Sequence, residues 1–126
     1  MRVVCAVILH QGRILACQRA AGKNEGGRWE FPGGKVEAGE EDGEALVREI
    51  DEELAMSVNV EDFVTKVVHG EIELWAYRCR WDGDAQEVRE HQEVRWIESE
   101  EGAALDWAPA DVTVWEEVRR TCFPRA

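Results

Sequence analysis

Glu49, Glu52 and Glu53 fall within the run Arg48-Glu49-Ile50-Asp51-Glu52-Glu53. On a helix they occupy positions i, i+3 and i+4 and so share one face. Like charges at that spacing repel by roughly 0.2–0.5 kcal/mol per pair in an isolated helix. Two arrangements tolerate such a face. It can be solvated, as acidic helix faces commonly are, or it can sit on a strong cation. Hard divalent ions take oxygen ligands, typically one or two carboxylates together with water and substrate phosphates. An ion held in this way assists attack on a phosphoanhydride. The glycine turn Gly33-Gly34 precedes the cluster at a fixed distance, which favours the cation.

The spacing carries a specific resemblance. Gly34 is followed after five residues by Glu40, and after seven more by Arg48-Glu49-Ile50, one residue, Glu52-Glu53, one residue, then Ala55-Met56. This pattern resembles the signature of the Nudix hydrolase family. One position departs: Ala55 stands where the family usually has glycine, at a helix exit where a positive φ is favoured. The resemblance implies an α/β fold, an α/β/α sandwich with a mixed central β-sheet and a loop-helix-loop metal site. It implies Mg²⁺, with Mn²⁺ able to substitute. The ligands would be the Gly34 carbonyl and the carboxylates of Glu49 and Glu53, with Glu52 a further ligand or the base. Arg48 would orient a neighbouring glutamate through its planar fork, and Glu40 would support the site from behind.

The stretches QRAAG and WEFPGG (Gln18–Gly22 and Trp29–Gly34) narrow the resemblance to the MutT-like branch, which releases pyrophosphate from nucleoside triphosphates. That likeness implies phosphate contacts from Arg19 and Lys35, and a further metal ligand or base at Glu90. It also places a base pocket at LDWAPAD, which ends in Asp111. An ionised aspartate only accepts hydrogen bonds, and cytosine presents an amino donor; the segment APADV and the EHQ…W spacing before it resemble pyrophosphatases of CTP and modified cytosine nucleotides more closely. Two roles stay open for Asp111, base reader and helix N-cap. Phe31 and Trp107 are candidates for the wall against the base, Trp107 for stacking on it.

Elements must position these groups. Val3–Leu9 and Arg13–Gln18 read as strands around Gln11-Gly12, and residues 20–28 as a polar loop. Trp29–Phe31 reads as a short strand ending at Pro32. Leu46, Ile50 and Leu54 give a helix over Asp42–Leu54 its buried stripe. Val58–His69 and Glu71–Trp81 read as strands joined near Gly70, and Gln92–Ile97 as another. Short and long helices are expected over Glu98–Leu105 and Asp111–Arg120.

A length of 126 residues predicts one domain, 1–126. A net charge of −12 disfavours nucleic-acid polymers and anionic membranes as partners, while a polyphosphate held through metal stays open. No apolar run approaches the ~20 residues of a spanning helix. The N-terminus lacks a secretory pattern, and the four cysteines form no CxxC pair. A cytoplasmic monomer or homodimer with reduced thiols is expected.

The leading reading is therefore a Mg²⁺-dependent nucleoside triphosphate pyrophosphohydrolase favouring (d)CTP or modified cytosine nucleotides. Its alternatives are an 8-oxo-dGTP or broad (d)NTP hydrolase, and a catalytically silent nucleotide-binding domain.

Overall fold

The computed structural model describes residues 1–123. The chain runs β1 (Arg2–His10), β2 (Arg13–Gln18), β3 (Trp29–Glu30), β4 (Gly33–Lys35), α1 (Asp42–Leu54), β5 (Val58–His69), β6 (Ile72–Trp81), β7 (Glu93–Ile97), α2 (Ser99–Ala104) and α3 (Pro109–Thr121). The strands form one mixed sheet in the order β3-β2-β1-β6-β5, with β4 paired to β1 and β7 to β2. β1 runs parallel to β6 and antiparallel to β2 and β4.

β1 is the centre because it is apolar on both faces. Val4, Ala6 and Ile8 pack with Leu46, Ile50 and Leu54 of α1. Cys5 and Val7 alternate to the other face and pack with Val114, Trp115 and Val118 of α3. The period-two alternation of one strand thus separates two cores and gives the three-layer α/β/α sandwich. Cys5, Cys17 and Cys79 are buried and free, and burial pushes their thiols up. Among the described residues no helix is long and apolar enough to cross a membrane.

α1 begins at the expected residue, where the Glu41 backbone N–H donates to Glu44 Oε1 at 2.9 Å. It ends at Ala55, which adopts φ 55° and donates its N–H to Asp51 O at 2.9 Å. Alanine therefore takes the left-handed exit usually assigned to glycine, at a cost of roughly 1–2 kcal/mol. α3 starts earlier than the sequence suggests. Pro109 is its first residue and Ala108 its N-cap, consistent with the preference for proline at that position. Asp111 consequently lies inside the first turn and is not the N-cap.

The segment before α3 docks on the sheet. Trp29 N–H donates to Asp106 O at 2.9 Å and Ala108 N–H to Trp29 O at 2.8 Å. This parallel bridge brings the start of α3 beside Phe31.

Candidate active site

Two adjoining cavities open at the ends of β1 and β4. The smaller, about 130 Å³, is polar and is lined by Arg19, Lys23, Glu30, Glu49, Glu53, Glu90 and His91. The larger, about 290 Å³, has apolar walls from Val4, Phe31, Leu74, Ala108 and Pro109, with Glu25, Glu30 and Asp111 as its carboxylates. Arg19, Glu30 and Gly33 line both.

The glycine turn is forced by close approach. A Cβ on Gly33 would lie 2.0 Å from the Val4 carbonyl oxygen, and one on Gly34 2.4 Å from Glu49 Cδ. A larger residue at Gly33 would collide with the β1 backbone, and one at Gly34 would displace the Glu49 carboxylate. Arg48 fixes the other side. Its Nε and Nη2 donate to Glu40 at 2.8 and 2.9 Å, its Nη1 to Glu49 Oε1 at 2.9 Å, and its Nη2 also to the Lys35 carbonyl at 3.2 Å. The Arg48 fork, aided by the Glu37 backbone N–H, holds the Glu40 carboxyl down at about 2. Arg48 itself is held cationic by the same partners.

Glu53 is 4% exposed, and its Oε2 is buried with no hydrogen-bond partner among the described residues. Burial, then the neighbouring Glu49, Glu90 and Glu30, push its carboxyl up to about 9. That is the signature of acceptors gathered without a cation. A divalent ion would supply the missing partner, and the oxygen-only donor set suits a hard one. Among the described residues no three such side chains yet converge tightly enough to form a finished shell. Glu49 is turned partly towards Arg48.

Glu90 reaches the cleft on a loop that docks against the end of α1. Glu87 N–H donates to Leu54 O at 2.7 Å, Arg89 N–H to Glu53 O at 3.1 Å, and Gln92 N–H to Gln18 O at 2.9 Å. The loop thereby satisfies carbonyls the helix end leaves unpaired. The adjacent His91 is half-buried as a residue, with its side chain only 5% exposed. Its Nε2 lies 3.0 Å from Glu30 Oε2 and 3.6 Å from Glu53 Oε1. Glu30 takes a second contact from Arg19 Nη1 at 2.8 Å. Burial alone would raise the Glu30 carboxyl, but the bonds from His91 and Arg19 draw it below its ordinary value.

Asp111 is 7% exposed, and its Oδ1 accepts the Phe31 backbone N–H at 2.9 Å. Burial pushes its carboxyl up to about 7, against the pull of that N–H.

The expected residues divide into those at the cavities and those away from them. Gly34, Glu49, Glu53, Glu90, Arg19, Phe31 and Asp111 line one or both cavities. Glu52 does not. It is about half exposed and lies 3.5 Å from Arg48 Nη1. Lys35 lines neither cavity and is exposed, with its carbonyl rather than its ammonium engaged. Trp107 is also displaced from its expected role. It is buried, donates Nε1–H to Gly102 O at 2.8 Å, and stacks between Phe31 and Trp115 at 4.8 and 5.5 Å. It backs the Phe31 wall from the core instead of facing a base. Sequence reasoning missed Glu30, His91 and Lys23. The alternation Trp29-Glu30-Phe31 was a signal for Glu30, because it turns Glu30 to the face opposite its aromatic neighbours.

The NUDIX domain model matches residues 1–117. The chain belongs to the Nudix family. It is 38% identical over 120 residues to the CTP pyrophosphohydrolase of Escherichia coli (strain K12), covering 92% of this chain and 89% of that one. To the 8-oxo-dGTP diphosphatase of the same organism it is 29% identical over 126 residues, covering 95% and 97%. A MutT structure from a study of Aliivibrio salmonicida and Vibrio cholerae superposes with a TM-score of 0.83 at 30% identity, covering 95% and 98%. This Nudix protein is a nucleotide pyrophosphohydrolase, and Nudix hydrolases generally use divalent metal ions.

Proposed function

We propose that the enzyme hydrolyses nucleoside triphosphates to monophosphate and pyrophosphate with Mg²⁺, and that it favours CTP or dCTP. The observation that carries this reading is the shared wall of the two cavities. An apolar pocket sized for a base adjoins an acidic cleft suited to phosphates and a cation, with Arg19, Glu30 and Gly33 between them. The carboxylates of Glu49, Glu53 and Glu90 and the carbonyl of Gly34 would hold the ion. When bound, it supplies positive charge to the phosphates and makes a coordinated water more acidic.

The residues of the chain do the rest. Arg48 keeps Glu49 oriented. The glutamates at the cleft accept the proton released as water attacks. Phe31, stiffened from behind by Trp107, forms one wall of the base pocket. Asp111 spends Oδ1 on the Phe31 N–H, which leaves Oδ2 to meet the base edge. An ionised carboxylate there accepts from cytosine N4 and opposes a carbonyl at the same place.

The similarity to a CTP pyrophosphohydrolase supports the choice of base. Turnover of CTP, dCTP, UTP, GTP and 8-oxo-dGTP with Mg²⁺ tests it. The highest kcat/KM is expected for a cytosine nucleotide. A clear lead for 8-oxo-dGTP would favour the other activity named among the relatives.

A further inference from the structure

We propose that Lys23, rather than Lys35, is the cation that grips the terminal phosphates and makes this enzyme select a free triphosphate. The inference rests on the reading above that the acidic cleft receives the phosphates of a nucleotide.

The charges around that cleft are unevenly committed. Glu30, Glu49, Glu53 and Glu90 line it, against the cationic side chains of Arg19 and Lys23. Arg19 is largely spent: its Nη1 donates to Glu30 at 2.8 Å and its Nε to the Asn24 carbonyl at 2.7 Å. Lys35 lies off the cleft. Lys23, also exposed, lines the cleft and has no ion-pair partner among the described residues. An uncommitted ammonium on a wall of carboxylates is the group left to meet an incoming anion, and lysine suits a phosphate as a compact point charge with three donors.

The position of Lys23 is built by the loop that carries it. Arg19 N–H donates to Arg28 O and Gly27 N–H to Arg19 O, both at 2.9 Å, which closes the loop at its base. Within it, Lys23 N–H donates to Ala20 O at 3.1 Å and Gly26 N–H to Lys23 O at 3.0 Å. A Cβ on Gly26 would lie 2.6 Å from the Ala21 carbonyl oxygen, so the loop backbone packs on itself there too closely for a side chain. Asn24 and Glu25 of the same loop line the larger cavity. The loop therefore spans both parts of a nucleotide, with Lys23 over the phosphates and its next two residues beside the base.

The test compares the unaltered enzyme with Lys23→Ala, Lys23→Arg and Lys66→Ala. Lys66 stacks over Trp75 and lines neither cavity, so its removal controls for the loss of one charge. The readouts are KM for whichever of CTP, UTP, GTP and ATP is cleaved fastest, and the inhibition constant of its monophosphate. Lys23→Ala should raise KM by roughly tenfold or more, as expected for a lost charge-assisted contact. The monophosphate should inhibit all four proteins equally, and Lys23→Arg should recover most of the affinity. Equal weakening of triphosphate and monophosphate would assign Lys23 to loop structure and overturn the inference. So would an unchanged KM. If the unaltered enzyme cleaves none of the triphosphates, the functional reading itself fails and the inference falls with it.

Discussion

Asp111→Asn should stabilise the protein in a manner that grows with pH. In an unfolded chain the Asp111 proton is released near 3.8, whereas burial in the fold retains it to about 7. Between those values the native state binds more protons than the unfolded state, so stability falls as pH rises. The penalty is absent below the lower value and complete above the upper one. The interval corresponds to ~4 kcal/mol, an upper figure because a buried site relaxes. Asparagine keeps an oxygen to accept the Phe31 N–H and carries no proton to lose. Between about pH 5 and about pH 8 the variant should therefore gain roughly 2–3 kcal/mol on the parent. For a chain of this size that is a relative rise in Tm of about 8–11 °C. Calorimetric scans of both proteins at both pH values, without divalent ions, measure it. A Tm difference that stays constant with pH would refute the buried-carboxyl account, and a variant less stable at both would show that Asp111 is needed ionised.

The same carboxyl should make base choice depend on pH. Neutral Asp111 can donate to uracil O4 and ionised Asp111 cannot, so the CTP-to-UTP ratio of kcat/KM should rise by up to about tenfold from about pH 6 to about pH 8. A flat ratio would remove Asp111 from base recognition. Glu53→Gln should lower turnover by roughly 100-fold or more while leaving Tm without divalent ions unchanged or higher, because it relieves the crowding of carboxylates. Full activity in saturating Mg²⁺ would exclude Glu53 from the site. Ala55→Gly should stabilise the fold by about 1 kcal/mol, since glycine takes the left-handed exit of α1 without strain. A urea midpoint that falls instead would show that the alanine methyl contributes packing that outweighs its backbone cost.

Much of the site was legible because it is local. Gly34, Glu49 and Glu53 lie within one turn-helix unit, and the Leu46, Ile50, Leu54 stripe fixes which way that helix faces. The mixture of strands and helices made an α/β fold legible, the three-layer arrangement came with the family resemblance, and the two apolar faces of β1 account for it. What escaped was non-local or depended on loop shape. His91 meets Glu30 across 61 positions of sequence, and no spacing rule reports such a contact. Trp107 had the composition of a base-stacking residue, but a parallel bridge to Trp29 and a stack on Trp115 draw it into the core. Asp111 resembled an N-cap until Pro109 proved to open α3. Lys35 and Lys23 are equivalent in composition, and only the fold of residues 20–28 distinguishes the one at the cleft. Glu52 shares the acidic run with Glu49 and Glu53, yet its side chain is about half exposed and lines neither cavity.

The most direct test of the central claim is the product analysis of CTP hydrolysis in ¹⁸O water with Mg²⁺. The account predicts CMP and pyrophosphate as products, with no turnover when the ion is chelated, and label in the pyrophosphate if attack falls on the β phosphorus. Orthophosphate and CDP as the products, or turnover that persists after chelation, would contradict it.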